Sequence, residues 1–256
     1  MVVTLALYKC EALVLKVQAF GEADRLATLL TPEQGKLRVL AKGASKGKSH
    51  LSAAVQPFIR AHFVLWQGRT LDGISQAAIV TAPRNLSGDL GRFAAAAYCC
   101  ELADGVAAER QEARTLYGRL AAALELLDAP EVVSDPAVVL RWFELGLLEG
   151  AGFLPELYVC TGCASAIGEP PPRTRFSASI GGLLCAACSG TDPSAVWLSR
   201  NAVRAMRHLA RVAASAVPAV RVGPLTMGQV DHALASHLAG VLQRPLKSRA
   251  LLDTLS

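Results

Sequence analysis

Leu26-Ala27-Thr28-Leu29-Leu30-Thr31-Pro32-Glu33-Gln34-Gly35-Lys36-Leu37-Arg38-Val39-Leu40-Ala41-Lys42 reads as a strand, a turn and a second strand. Pro32 presets φ for the turn and Gly35 can take a left-handed position. Beyond the turn, Leu37, Val39 and Ala41 fall on one face and Lys36, Arg38 and Lys42 on the other, the period of two of a half-buried strand. Three cations therefore share one face. Upstream, residues 11–17 set Leu13, Leu15 and Val17 against Val14 and Lys16 in the same alternation. Downstream, a polar loop over 43–52 leads to a strand over 58–66 and, after Gln67-Gly68-Arg69, to another over 71–80. Five short strands in about 75 residues predict a small closed or partly open barrel.

After Pro83 the period changes. Ser87 can cap a helix running towards Val106, and further helices are expected over 111–128 and 136–150, the latter with Ser134 or Asp135 as cap and Pro136 in the first turn. Gly168, Pro170-Pro171-Pro172 and Gly181-Gly182 interrupt the helical pattern, which resumes at Ser199. Thr226 and Gln229 have the spacing of a capping box, with Met227, Val230, Leu234, Leu238 and Val241 as an apolar stripe behind it. The expected class is α+β: an N-terminal domain over 1–82, a helical domain over 83–155 and 193–256, and an insertion over 156–192.

Composition narrows the function classes. Of 256 residues, 52% are hydrophobic and 5% aromatic, which excludes disorder as a description of the whole chain. The longest uncharged run, 176–191, has 16 residues and contains Gly181, Gly182 and two cysteines, whereas a membrane span needs about 20 mostly apolar residues. Lys9 and Glu11 interrupt any apolar signal-peptide region, so a cytoplasmic protein is expected. The net charge of +5 is unevenly spread: −1 over 1–33, +7 over 34–71, −7 over 72–192 and +6 over 193–256. Two basic blocks around an acidic middle suit a protein that grips a polyanion.

The most specific motif is Cys160-Thr161-Gly162-Cys163, 21 intervening residues, then Cys185-Ala186-Ala187-Cys188. Four thiolates at this spacing can converge on one ion. Disulfides, a redox pair and an iron–sulfur cluster are the alternatives. A reducing compartment disfavours the first and no thioredoxin-like context supports the second. A closed four-thiolate shell suits structural Zn2+ and leaves no open position for catalysis. Cys10, Cys99 and Cys100 sit in apolar surroundings and read as core. Gly43-Ala44-Ser45-Lys46-Gly47-Lys48-Ser49 imitates a phosphate-binding loop but has three residues between its glycines instead of four, and Pro57 follows where a helix is required. Lys46, Lys48 and His50 instead extend the charge of Lys36, Arg38 and Lys42. Phe58 shares a strand face with Arg60, His62 and Trp66, a conceivable stacking platform, although aromatics at strand period read first as core. Arg200, Arg204, Arg207 and Arg211 form a stripe on one helix face, either its wet side or a contact for an anionic partner. No hydrolase or transferase motif is present, and the five histidines show no partnered carboxylate pattern.

The chain resembles the bacterial DNA repair family RecO. The resemblance rests on Ala12-Leu13-Val14-Leu15-Lys16, Phe20-Gly21-Glu22-Ala23-Asp24-Arg25-Leu26, Leu30-Thr31-Pro32-Glu33-Gln34-Gly35-Lys36-Leu37, Ala41-Lys42-Gly43-Ala44 and Leu51-Ser52-Ala53-Ala54-Val55-Gln56-Pro57-Phe58, with the four-cysteine element where many members carry a zinc ribbon. It implies an N-terminal OB-fold barrel and a helical domain interrupted by the ribbon. It also implies binding of single- and double-stranded DNA and annealing of complementary strands. Its implied partners are RecR and the C-terminal tail of single-stranded DNA-binding protein, with help in loading RecA. The family's basic positions after the Thr-Pro turn correspond to Arg38 and Lys42, with Lys36, Lys46 and Lys48 nearby. The segment from Gly21 to Arg25 reads as a tight turn with a local Asp–Arg pair, and the Arg200 stripe matches no family motif. The expected protein is a non-enzymatic recombination mediator. The rivals are a zinc-ribbon adaptor whose main ligands are proteins, and an enzyme of thiol or nucleotide chemistry.

Overall fold

A computed structural model describes residues 6–46, 49–129 and 135–255. The chain divides into two compact units, Met1–Pro130 with Leu246–Ser256, and Glu131–Pro245.

In the first unit, β1 (Leu7–Phe20), β2 (Asp24–Thr31), β3 (Gly35–Ala41), β4 (Arg60–Trp66) and β5 (Asp72–Thr81) form a closed barrel in the order β1-β2-β3-β5-β4. This is an OB-like barrel. The β3–β5 closure is parallel, through Val39 against Asp72 and Leu40 against Gly73, and the other pairings are antiparallel. The first strand is longer than its alternation over 11–17 predicts because it pairs twice: its first half with β4, its second with β2. A bulge between Val14 and Lys16 lets it bend between the two. The β2–β3 turn forms as expected: Gly35 has φ +55°, Gln34 N–H donates to Thr31 Oγ1, and the Thr31 hydroxyl donates to the Gly35 carbonyl. Inward side chains, among them Val14, Leu29, Leu37, Val39, Phe63 and Leu65, make the barrel core.

Helices α1 (Leu90–Val106) and α2 (Arg114–Asp128) belong to this unit. Small residues at Ala94, Ala95, Ala96, Cys99, Cys100 and Ala103 bury most of α1. Ser87 does not cap it; it lies in a short 3-10 turn, and Asp89 accepts from Arg92 N–H instead.

The second unit contains α3 (Pro136–Gly150), capped by Asp135, then a three-stranded sheet in the order β7-β6-β8 from β6 (Arg173–Ser177), β7 (Gly182–Leu184) and β8 (Val196–Ser199). Ser134 lies outside the described residues. Helices α4 (Arg200–Arg211) and α5 (Pro224–Leu242) follow, and Met227, Val230, Leu234 and Leu238 are buried as the stripe predicts. The capping box is not formed: α5 starts two residues earlier at Pro224, and Gln229 accepts from the N–H and hydroxyl of Ser199, the residue that caps α4. The last helix, α6 (Lys247–Leu255), returns to the first unit, where the Glu101 carboxylate on α1 accepts its Lys247 and Ser248 N–H groups. None of the described helices is long and apolar enough to cross a membrane.

Candidate nucleic-acid interface and metal centre

The alternation of β3 is the one expected: Leu37, Val39 and Ala41 are buried, Arg38 and Lys42 exposed, Lys36 half-buried. Their surroundings differ. Lys36 Nζ donates to the Asp104 carbonyl at 2.7 Å and lies 3.6 Å from its carboxylate, which also pairs with Lys16 at 2.7 Å. It fastens the barrel to α1. Arg38 has no carboxylate partner among the described residues. Lys42 sits over the half-buried ring of Trp66, 5.6 Å from its centroid, a cation–π contact that joins β3 to the end of β4. Lys46 is exposed at the rim of a groove of about 700 Å³ lined also by Gly43, His50, Leu51, Ser75 and Gln76. Lys48 lies outside the described residues.

The segment 21–25 holds this loop in place. Asp24 Oδ1 accepts the Gly43 N–H at 2.7 Å, Ser45 N–H donates to the Ala23 carbonyl at 2.9 Å, and Arg25 Nε reaches Ser45 Oγ at 3.4 Å. The expected Asp24–Arg25 pair is thus replaced by a clasp from the β1–β2 turn onto the start of the cationic loop. Phe58 is core, packed edge-on against Phe93 of α1 at 5.3 Å, so of the candidate platform only Trp66 borders the cationic face. Ser75 and Gln76 were not candidates in the sequence. Parallel closure of β5 against β3 brings them there, and no local signal reveals it. One histidine does find a carboxylate: cross-strand pairing places His62 Nδ1 3.8 Å from Glu11 Oε2, and the Tyr117 hydroxyl donates to Glu11 at 2.6 Å.

In the second unit, Cys160, Cys163, Cys185 and Cys188 bring their sulfurs within 4.8 Å of one another, a cluster that could hold a metal ion. Each pair sits on a tight turn: Ala164 N–H donates to the Cys160 carbonyl, and Cys188 N–H to the Cys185 carbonyl. Cys160 Sγ accepts N–H groups of Gly162 at 3.4 Å and Cys185 at 3.2 Å. A side chain at Gly162 would come 3.1 Å from Cys188 Cβ and Sγ, so Cys188 would have to give by a few tenths of an ångström to admit one. Without a cation the thiols compete. Burial works against the Cys160 thiolate, yet the N–H groups of Cys185, Gly162 and Cys163 hold its pKa down to about 6, while contacts with Cys163 and Cys185 push Cys188 up to about 12. Four thiolates this close need a positive ion among them, and the donor set is that of a closed tetrahedral shell.

The arginine stripe is turned onto this element. Arg207 donates to the carbonyls of Leu157, Ile167 and Gly168 at 2.5–2.8 Å and stacks on Tyr158 at 4.5 Å. Arg200 Nε donates to the Pro170 carbonyl at 2.8 Å, Arg204 pairs with Glu169 at 2.6 Å, and Arg211 lies over Tyr158 at 4.7 Å. All four are engaged, three of them with backbone carbonyls or a carboxylate, so the stripe is neither a plain wet face nor a bare cationic one.

A family model described as Recombination protein O C terminal matches residues 87–250, and one described as Recombination protein O N terminal matches residues 5–83. The chain belongs to the RecO family. A DNA repair protein RecO of Symbiobacterium thermophilum is 37% identical over 251 residues, covering 98% of each chain. Another, of Desulforudis audaxviator, is 37% identical over 245 residues and 96% of each chain, and one of Desulforamulus reducens is 33% identical over 249 residues, 97% of this chain and 95% of that one. The junction of the two RecO matches coincides with the end of β5 at Thr81 and the start of α1 at Leu90.

Proposed function

We propose that this RecO-family chain is a recombination mediator in DNA repair that binds single- and double-stranded DNA and anneals complementary strands. The observation that carries the reading is the outward row of Arg38, Lys42 and Lys46 on an OB-like barrel, with Lys42 held against Trp66 and no carboxylate paired with Arg38 among the described residues. Such a row tracks phosphates, and phosphate contact gives affinity without sequence preference, as a repair factor needs. Neutralising two backbones on one protein lowers the repulsion between strands and lets pairing proceed. No bond is made or broken, and the reading requires no catalytic group. Lys36 contributes to the local potential while it fastens α1, and Lys48 extends the row on the sequence alone.

Cys160, Cys163, Cys185 and Cys188 hold a structural Zn2+, which folds the loop-rich element that their knuckles frame. Arg200, Arg204, Arg207 and Arg211 brace that element. RecR, the acidic C-terminal tail of single-stranded DNA-binding protein and, through them, RecA are the protein partners in this reading.

The test is equilibrium binding of a fluorescent single-stranded oligonucleotide over a range of salt. Four to six neutralised phosphates give a log–log slope of about −3 to −4, taking roughly −0.7 per contact. Absence of binding at low salt refutes the mediator and favours an adaptor whose ligands are proteins.

A further inference from the structure

The sheet of the second unit presents an unusual outer face. Trp197 on β8 is 46% exposed although its neighbour Leu198 is buried, because alternate residues of the strand face opposite ways. Directly across, Arg175 on β6 pairs in register with Trp197, and Arg173 pairs with Ser199. The guanidinium carbons lie 4.8 Å (Arg173) and 5.3 Å (Arg175) from the indole centroid. The two arginines differ in freedom. Arg175 is tied down, donating to the carbonyls of Asp192 at 3.0 Å and Pro193 at 3.2 Å, whereas Arg173 is exposed and has no carboxylate partner among the described residues. The nearby Asp192 carboxylate is turned inward, where it accepts from Ser177, Ser179 and Ser194.

We propose that this face, Trp197 flanked by Arg173 and Arg175, is a second contact surface for single-stranded DNA, separate from the cationic row of the barrel. The chemistry selects the occupant. An exposed indole beside guanidiniums offers stacking for an unpaired base and a cation for the adjoining phosphate, the pair of features by which single strands are held without sequence preference. Bases of a duplex are paired and stacked within the helix and cannot reach the ring. An acidic peptide would use Arg173 but leave the indole without a partner. The inference rests on the DNA-binding reading above and adds to it: annealing needs two strands held at once, and a second surface supplies the second hold.

The experiment uses the full-length, zinc-loaded protein and a fluorescent oligothymidylate, titrated at several salt concentrations. Trp197→Ala should weaken binding about tenfold, near the low end of the worth of one stacked base, with Trp197→Phe losing less. Arg173→Ala should make the log–log slope shallower by about 0.7. These losses should fall on a binding event distinct from the one weakened in the Arg38→Ala/Lys42→Ala pair, with zinc content unchanged. Binding by Trp197→Ala and Arg173→Ala equal to the parent's, while the barrel pair still loses affinity, overturns the second surface and leaves the barrel reading intact. Unchanged binding in the barrel pair alone overturns the barrel reading and leaves this one. Should Trp197→Ala lose zinc, Arg173→Glu at its exposed position decides: parent-like binding overturns the proposal, and a loss supports it. Loss of oligoglutamate binding with oligothymidylate binding kept assigns the face to an acidic protein and also overturns it.

Discussion

Replacing Arg207 with Ala removes one side chain that spans three carbonyl groups and an aromatic ring. Its Nε and Nη2 donate to the Leu157 carbonyl at 2.8 and 2.6 Å, Nη2 to Ile167 at 2.5 Å and Nη1 to Gly168 at 2.5 Å, while Tyr158 stacks on the guanidinium. A hydrogen bond to a charged group contributes about 1.5–3 kcal/mol. Arg207 is half-buried, and water can reach the freed carbonyls in the variant, so a net loss of about 3 kcal/mol is expected instead of the full total. At roughly 3 °C per kcal/mol this lowers Tm by about 10 °C. Because the three carbonyls flank the Cys160 knuckle, a metal ion held by the four cysteines should also leave sooner on heating, which a chromogenic chelator reports. Arg204→Ala is the control: its pair with Glu169 joins two exposed side chains, and such pairs contribute about 0–1 kcal/mol. Arg207→Lys should rescue little, since one ammonium cannot serve three acceptors fixed in a fork. A Tm for Arg207→Ala within 2 °C of the parent, on the scale of about 2–4 °C per kcal/mol, would refute the brace. Weaker DNA binding at unchanged stability would return Arg207 to the interface.

Three further outcomes are expected. Arg38→Ala with Lys42→Ala should weaken DNA binding across sequences and flatten the salt slope by about 1.4, two contacts at roughly 0.7 each, with Tm nearly unchanged; cooperative loss of folding in this pair contradicts a surface site. Cys160→Ser should release zinc and loosen the cysteine element, and full metal occupancy measured by elemental analysis would contradict the ligand assignment. Asp72 is buried and accepts from the Tyr8 hydroxyl, Arg110 and Gly68 N–H; burial alone would raise its pKa, but these donors hold it below the ordinary 3.8. Its stabilisation is therefore complete near neutral pH and is lost as pH falls below about 4, so acid titration of barrel stability should show a limb that Asp72→Asn flattens.

The barrel was legible because its information is local. Period two, the Thr31–Gly35 turn and the cation row are properties of neighbouring residues, and β3 folds as its sequence reads. The cysteine spacing was legible for the same reason, since each knuckle is a tight turn and the pairs need only meet. What local pattern does not carry is the partner. Ser87 and Asp89 are both competent caps, and the start of α1 at Leu90 decides between them. Gln229 had the spacing of a capping box but is taken by Ser199, thirty residues away. Cys10 read as core and is half-buried, since it lies on the part of β1 that runs beyond the expected strand. The Arg200 stripe was readable as a stripe, while the carbonyls it serves belong to a loop some forty residues earlier. The return of α6 to the first unit depends on Glu101, a long-range contact with no periodicity to announce it.

These pairings change the arithmetic of the interface. The block over 34–71 carries seven cations and no acid, yet Lys36 is spent on Asp104 and Arg60 lies 3.7 Å from Glu125. Arg38, Lys42, Lys46 and Arg69 remain exposed among the described residues. A strand that meets those four gives a slope of about −2.8, and adding Lys48 brings it to about −3.5. Were the four arginines of the stripe free to meet phosphate as well, the slope would approach about −6. Salt dependence thus separates two uses of the same charge: a value between about −3 and −4 means that the stripe is occupied in holding the cysteine element, while a value steeper than about −5 means that those guanidiniums leave their carbonyls for DNA. Because the brace and the interface would then compete for one set of side chains, the steeper slope should come with earlier release of a metal ion held by the four cysteines in the DNA-bound protein. The shallower slope should leave zinc retention indifferent to DNA.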